Sequence, residues 1–184
     1  EDYMKNGQLK PAYNVQFGVD SEYVVWVMAG PQPTDTTTMI PFLNEIREYL
    51  NHKYEKIIAD SGYESEENYV YLERNGQLAF IKPANYEISK TRKYKTDISK
   101  KENMEYNSEG DYYICRNGRK LVATGEKKSK SKTGYESVKT KYTCETCDGC
   151  CYKAKCIKGN NSKTPLEEHT KHLEISKVFQ EKRQ

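Results

Sequence analysis

Asp60 is the acidic residue whose position in the sequence is best suited to chemistry. It follows Ile57-Ile58-Ala59, an apolar run typical of a short buried strand, and Ser61-Gly62 come directly after it. A carboxylate at the carboxyl end of such a strand lies beside a crevice in which ligands commonly bind, and its oxygens suit Mg²⁺. A structural interpretation stays open, because an aspartate here also caps the turn at Gly62 or a helix that begins near Ser65.

A cluster of cysteines forms the second constellation with chemical potential. The sequence shows no secretory signal, so we expect a reducing compartment, in which clustered thiols more often bind metal than form disulfides. Four thiolates in tetrahedral geometry suit Zn²⁺. We predict as its ligands Cys144, Cys147, Cys150 and Cys156. A ligand set that includes Cys115, an iron–sulfur site and unligated thiols are the alternatives.

The positive charge of the chain is concentrated in its middle. Residues 1–81 contain 6 Lys and Arg against 13 Asp and Glu, whereas residues 82–141 contain 16 against 8. Contact with the phosphates of a nucleic acid needs only positive charge on a reachable surface. We predict such contacts from two basic runs, Lys90, Arg92, Lys93 and Lys95, and Lys127, Lys128, Lys130 and Lys132. Solubilising loops are the alternative interpretation.

The elements that would position Asp60 alternate between strand and helix. Residues 12–30 predict a β-hairpin that turns at Asp20-Ser21-Glu22, with a second strand suited to burial on both faces. A helix capped by Thr34 or Asp35 follows, then the strand that ends at Asp60. A helix over residues 65–75, closed by Gly76, and a strand over 78–81 complete the pattern. This order predicts a mixed α/β fold with helices packed on a sheet.

The rest of the chain is polar and richer in turns. We predict short strands over residues 111–115, 120–123 and 137–143, a flexible basic loop over 125–134, and a charged helix over 166–183. The predicted domains are therefore 1–83, an α/β core; 84–160, a basic, Cys-rich insertion; and 161–184, a charged C-terminal helix. No apolar run is long enough to span a bilayer, and the mean hydropathy is −0.99.

Several motifs, in their order along the chain, resemble the DDE-class transposases of bacterial insertion sequences. They are LKPAYNVQ and GVD within residues 9–20, Thr34-Asp35 before residues 39–43, residues 59–68, residues 71–76 and residues 81–83. Ala59-Asp60-Ser61-Gly62-Tyr63 is similar to the "ADxGY" block that carries the second catalytic acid of that family. The resemblance continues through residues 113–115 and the cysteines. It implies an RNase H-like core, incomplete here, with a β-rich, Cys-containing insertion.

The chemistry that this resemblance implies is phosphoryl transfer on DNA. Two Mg²⁺ ions held by three acids activate a water or a 3′-hydroxyl and stabilise the leaving oxygen. Asp60 would be the second acid, whereas the first Asp, before the hairpin, and the Glu, after the insertion, are not recognised in this sequence. We therefore expect a partial catalytic domain that is inactive alone. Asp20 is interpreted as a turn residue and Asp35 as a helix cap, and Cys151, where the family usually has Pro, as a bystander.

The same resemblance implies the partners and the setting. A transposase of this kind would bind transposon-end DNA, self-associate in its active complex, and work at the nucleoid in the bacterial cytoplasm without a membrane partner. The alternative function is that of a non-catalytic zinc- and DNA-binding remnant of a decayed transposase.

Overall fold

The structure is a computed structural model that describes residues 12–158 and 165–183. The chain divides into two compact units between Ala84 and Asn85. The first unit contains helices and two small sheets, and the second is built on one antiparallel sheet. The mixed α/β fold class predicted from the sequence is therefore confirmed.

A β-hairpin opens the described part of the first unit. Its antiparallel strands are β1 (Asn14–Asp20) and β2 (Tyr23–Gly30). The two turn residues, Ser21 and Glu22, have φ angles of 50° and 74°, the left-handed conformation that a tight two-residue hairpin turn requires. The hairpin agrees with the sequence prediction, but the burial of β2 on both faces does not. Val24 and Val27 are exposed, since an antiparallel hairpin, unlike a parallel sheet covered by helices, can leave strand residues in contact with water.

The remainder of the first unit is a β-α-β arrangement preceded by a helix. Its elements are α1 (Met39–Leu50), β3 (Lys56–Ala59), α2 (Glu66–Arg74) and β4 (Leu78–Ile81). β3 and β4 are parallel, and Ala59 lies opposite Ile81. The two strands therefore end at the same edge of their sheet. Apolar faces of both helices supply the buried residues Met39, Leu43, Ile46, Tyr69, Val70 and Leu72.

The start and end of α2 follow from its capping residues. Ser65 Oγ accepts a hydrogen bond from the backbone N–H of Asn68 at 3.2 Å, which satisfies a donor of the first turn. Gly76, with φ of 63°, follows the helix, and the N–H of Gln77 donates to the carbonyl of Leu72 at 2.9 Å. Both ends agree with the prediction from sequence.

The second unit is a five-stranded antiparallel sheet with its strands in chain order. The strands are β5 (Glu105–Asn107), β6 (Tyr112–Ile114), β7 (Lys120–Lys130), β8 (Glu136–Cys144) and β9 (His172–Ile175). Its short helices are α3 (Tyr86–Ser89), α4 (Arg92–Lys95), α5 (Lys153–Cys156) and α6 (Lys177–Lys182). One buried cluster forms the core: Met104, Tyr113, Leu121, Tyr142, Cys144, Cys147 and Ile175. No described helix combines the length and the apolar character needed to cross a bilayer.

Two sequence predictions for the second unit are wrong. Residues 125–134 are not a flexible loop, because β7 continues to Lys130 and pairs with β8 as far as Glu136. Residues 166–183 are not one helix either. They form a short 3-10 helix, strand β9 and helix α6. Leu173 and Ile175 alternate with polar residues, the period of a strand, and β8 offers them a free edge to pair with.

Candidate active site

Asp60 lies at the carboxyl end of β3, where the sequence predicts it. It follows Ala59, the last residue of the strand, and is exposed. Its Oδ1 atom accepts a hydrogen bond from the N–H of Gly62 at 2.8 Å and so caps the short 3-10 helix Ser61–Tyr63. The structural interpretation of Asp60 is therefore correct. It does not exclude the chemical one, since a carboxylate that accepts the capping hydrogen bond with one oxygen keeps its second oxygen for a ligand.

A second carboxylate, that of Asp35, lies beside Asp60. A Cβ atom built on Gly62 would lie 2.6 Å from Asp35 Oδ2 and 3.1 Å from Asp60 Oδ1. The two carboxylate oxygens are therefore no further apart than the sum of these two distances. A contact of 2.6 Å is closer than real Cβ atoms approach, so any side chain at position 62 would displace the Asp35 carboxylate.

Polar side chains of β1 fix the orientation of Asp35. Asn14 Nδ2 donates to Asp35 Oδ1 at 2.6 Å, and Gln16 Nε2 donates to the same oxygen at 3.3 Å. Gln16 is buried, with 4% of its surface exposed, and its Nε2 also donates to Asn14 Oδ1 at 2.6 Å. Burial holds this network in place, and its hydrogen bonds to a charged acceptor are of the stronger kind.

The interpretation of Asp35 as a helix cap is wrong for its side chain. The 3-10 helix Asp35–Thr37 and helix α1 both begin without a side-chain capping hydrogen bond. The Asp35 backbone carbonyl, rather than its carboxylate, receives the N–H of Thr38 at 3.0 Å. The carboxylate is thus available to the site. The signal that could have found it is the pair Asn14 and Gln16, which lie two residues apart and so on one face of a strand.

Asn68 ties the two acid-bearing turns together. Its Nδ2 atom donates to the carbonyl of Thr36 at 3.2 Å and to the carbonyl of Tyr63 at 2.7 Å. The Asn68 side chain is fully buried, at 0% exposure. Because one carbonyl follows Asp35 and the other closes the Asp60 turn, this one amide sets the separation of the two turns. The two bonds satisfy the Nδ2 atom of this buried amide, whereas its Oδ1 atom has no hydrogen-bond partner among the described residues.

The electrostatics of Tyr63 reports the same proximity. Burial, together with the charges of Asp35 and Asp60, raises the pKa of Tyr63 to about 12. Both carboxylates therefore act on one hydroxyl, and the site carries a negative potential.

Two carboxylates with free oxygens are a donor set that suits a hard cation such as Mg²⁺. Among the described residues, however, no group of three or more His, Cys, Asp or Glu side chains is arranged so that it could hold a metal ion. The described residues therefore bring no third ligand of these types to Asp35 and Asp60. Asp60 as a metal ligand stays a prediction.

Comparison with protein families identifies the family of the chain that carries this pair of acids. The family described as the transposase DDE domain matches residues 2–165. The chain belongs to this family. Transposases of this kind act on DNA and generally use a divalent metal. Comparisons with curated proteins and with solved structures gave no match.

The cysteines of the transposase line one pocket in the second unit. The thiols that border it are Cys115, Cys144, Cys147, Cys150 and Cys156, and the described chain has all its cysteines as free thiols. Burial, then the Cys147 thiol, raises the pKa of Cys144 to about 12, with a further contribution from Cys115. Burial also raises the pKa of Cys156. The charge of Lys171 lowers this pKa, and the thiols of Cys115, Cys147 and Cys150 raise it. The four predicted ligands therefore share one pocket.

The eight predicted DNA-contacting residues are all exposed. Lys90, Arg92, Lys93 and Lys95 lie in and beside the short helices α3 and α4. Lys127, Lys128 and Lys130 lie on β7, and Lys132 lies in the turn that joins β7 to β8. Ion pairs join Lys90 to Glu87, Lys127 to Glu174, and Lys130 to Glu136 at 3.3, 3.0 and 3.4 Å.

We expect Gly62→Ala to destabilise the first unit, because its methyl group must displace the Asp35 carboxylate from its network. Overpacking of this kind costs about 1–3 kcal/mol. In an Asp35→Ala background the same substitution should cost at least about 1 kcal/mol less, since the obstructing oxygen is gone. Urea unfolding of the four proteins of this cycle measures both values. Equal costs in the two backgrounds would contradict the close approach of Asp35 to Gly62.

Proposed function

We propose that this transposase catalyses Mg²⁺-dependent DNA strand cleavage and transfer at transposon ends, with Asp60 as one of the metal-binding acids. The observation that carries the proposal is the pairing of Asp60 with Asp35 across Gly62 in a chain of the DDE family. The active complex would be a self-associated one, as transfer between DNA ends requires both ends to be held together. Its setting would be the nucleoid in the bacterial cytoplasm.

The residues of the chain would orient the reaction rather than perform a covalent step. When bound, Mg²⁺ supplies activation of the attacking water or 3′-hydroxyl and stabilisation of the leaving oxygen. Asp60 would present an oxygen from the rigid end of β3, with Oδ1 held by Gly62. Asp35 would present Oδ2 while Asn14 and Gln16 hold its other oxygen. The buried Gln16 Oε1 atom, unpartnered among the described residues, belongs to the same amide group that donates to Asp35.

A groove in the first unit suits an additional strand. It is bordered by consecutive residues of β1, from Phe17 to Asp20, and by β3 from Lys56 to Ala59 with the adjoining Asp60. Side chains of consecutive strand residues point to opposite faces of the sheet. Consecutive residues of one strand can therefore border the same groove when the groove runs along the edge of that strand. Unpaired edges are templates for pairing. We propose that the strand carrying the first catalytic Asp pairs in this groove, which would bring its acid toward Asp60.

Metal binding by the 184-residue chain tests the role of Asp60 directly. Mn²⁺, a paramagnetic substitute for Mg²⁺, should broaden the amide NMR signals of Gly62 and Tyr63. Asp60→Asn should abolish this broadening while the amide oxygen still caps the turn. Asp35→Asn should raise the dissociation constant for Mn²⁺ at least about tenfold, a loss of about 1.4 kcal/mol of binding free energy. Asp20→Asn, an exposed turn residue of the same unit, is the matched control; broadening in Asp60→Asn equal to this control would refute the proposal.

We also predict that residues 1–184 alone cleave no DNA, because a single ion held at Asp60 without the other two family acids does not form the two-metal site that the reaction needs. Incubation of the chain with supercoiled plasmid and Mg²⁺ measures nicking on agarose gels. A Mg²⁺-dependent nick that disappears in Asp60→Ala would overturn this prediction. The Mn²⁺ experiment distinguishes the catalytic function from the alternative of a decayed transposase remnant. Such a remnant need not retain metal binding at Asp60.

The β7–β8 hairpin supports DNA contact in the second unit. Lys127 of β7 lies opposite Lys139 of β8, whereas Lys128 and Lys130 lie on the other face of the ribbon. A two-stranded ribbon fits the major groove of duplex DNA, and lysines on both its faces can reach phosphates there. We propose that this hairpin, with the basic residues of α3 and α4, positions transposon-end DNA without reading its sequence.

Lys128→Ala/Lys132→Ala should weaken DNA binding and flatten its dependence on salt. These two residues are chosen because ion pairs already engage Lys127 and Lys130. Each lost phosphate contact lowers the slope of log K against log salt by about 0.9 in magnitude on duplex DNA. Fluorescence anisotropy at several salt concentrations measures the slope. Lys53→Ala, which removes a charge from the first unit, is the control, and a double variant with the same slope as this control would contradict the proposal.

We propose, finally, that the cysteine cluster binds a structural Zn²⁺. The predicted ligands Cys144, Cys147, Cys150 and Cys156 border one pocket, which supports the proposal. A metal would also compensate for the small apolar core of the second unit, since small domains with modest cores often depend on a staple of this kind.

A further inference from the structure

We infer that Cys115, at the end of β6, is the fourth ligand of this zinc site, together with Cys144, Cys147 and Cys156, and that Cys150 lies outside the ligand set. The inference rests on the proposal that the cluster binds Zn²⁺, and it replaces one of the four ligands predicted from spacing. It joins a hairpin that is distant in sequence to the C-terminal cysteines.

The register of the sheet puts Cys115 on the same face as Cys144. Tyr113 of β6 lies opposite Leu121 of β7, which in turn lies opposite Cys144 of β8. Residues that lie opposite one another across strands share a face, and all three are buried there. Cys115 comes two residues after Tyr113, and its N–H still bonds to the carbonyl of Arg119 at 2.9 Å, so it continues on that face. Cys115 accordingly packs against the cluster that contains Cys144 and Cys147.

Hydrogen bonds of Lys171 bring Cys156 to the same cysteines. Its backbone N–H donates to Cys147 Sγ at 3.3 Å, and its Nζ donates to the carbonyl of Cys156 at 3.5 Å. A tetrahedral site needs every sulfur close to every other one. Cys115, which packs against the cluster that contains Cys144 and Cys147, therefore fits this set better than Cys150 does.

The backbone and the charges around the pocket suit bound thiolates. The N–H of Lys171 donates to Cys147 Sγ at 3.3 Å, a hydrogen bond that stabilises a sulfur carrying negative charge. Arg119 donates to the carbonyls of Thr146 and Asp148, each at 2.9 Å, and so holds the loop between Cys144 and Cys150 against the β6–β7 hairpin.

Cationic side chains would balance the charge of the complex. Four thiolates with one Zn²⁺ carry a net charge of about −2, which is costly to bury without nearby cations. Arg119, Lys153 and Lys171 border the pocket. As the structure stands, no three described His, Cys, Asp or Glu side chains could hold a metal. Binding would therefore require rotation of the cysteine side chains toward the centre of the pocket.

Differential alkylation of the unaltered chain identifies the ligands without a substitution. The chain, purified anaerobically with zinc in the medium, is treated with iodoacetamide before and after removal of metal by a chelator, and the modified cysteines are located by mass spectrometry. We expect one zinc per chain by elemental analysis. We expect Cys115, Cys144, Cys147 and Cys156 to react only after chelation, and Cys150 and Cys151 to react in both cases.

Substitutions give a second, independent test. Cys115→Ser should lose most of the zinc, and Cys115→His should retain it, because imidazole replaces the thiolate. In the Co²⁺-substituted protein, Cys115→His should lower the thiolate-to-metal absorption by about a quarter, since one of four sulfurs is removed. Cys150→Ser and the exposed Cys151→Ser should bind zinc as the parent does.

The outcomes separate the two proposals. A parent chain without zinc would overturn the structural zinc site and this inference with it. Zinc that is retained in Cys115→Ser and lost in Cys150→Ser would support the site but overturn the assignment of Cys115, leaving the set of Cys144, Cys147, Cys150 and Cys156.

Discussion

The apposition of Asp35 and Asp60 across Gly62 is the constraint on which the first unit depends. Two like charges held this close repel each other, and the raised pKa of Tyr63 reports the negative potential that results. The chain maintains the arrangement with hydrogen-bond donors, namely Asn14, Gln16 and the N–H of Gly62. Those donors each use one oxygen of a carboxylate. A cation that binds the remaining oxygens would relieve the repulsion, as the proposed function requires.

The two units are stabilised by different kinds of core. In the first, helices α1 and α2 provide an apolar core beside a short parallel strand pair, and the acids are carried on turns at its edge. In the second, the core is a small cluster that already includes Cys144 and Cys147. Because that cluster ends at the thiol pocket, a metal there would extend the core rather than occupy a separate site. The long β7–β8 hairpin, by contrast, is exposed along most of its length and is suited to contact with a polyanion.

Local patterns predicted the elements of the first unit well. The period-two alternation of β1, the turn at Ser21 and Glu22, the Ser65 cap and the glycine after α2 are each determined by neighbours within a few residues. The same reasoning was wrong where pairing over a longer distance decides. Residues 125–130 look like a loop by composition, yet they form a strand because β8 pairs with them. Residues 172–175 look helical by charge, yet the free edge of β8 makes them β9.

The role of Asp35 illustrates why the site itself was only half predictable. Asp60 is recognisable because a strand, an acid and a turn are adjacent in sequence. Asp35 reaches it only through side chains on β1 and through an amide on α2, contacts that span 19 to 32 residues. Sequence spacing carries no direct record of such contacts. The same holds for Cys115, which lies 29 residues before Cys144 but shares a sheet face with it.

The amino-acid sequence by itself determined the family, the mixed α/β class, the strand that ends in Asp60 and the presence of a cysteine cluster, because each depends on residue type and short-range order. Only the tertiary structure decided which second carboxylate meets Asp60, which thiols share a pocket, and that the basic run after Gly125 is a paired strand. The physical reason is that these features arise from strand pairing and side-chain hydrogen bonds between distant segments, whose geometry depends on the folded chain.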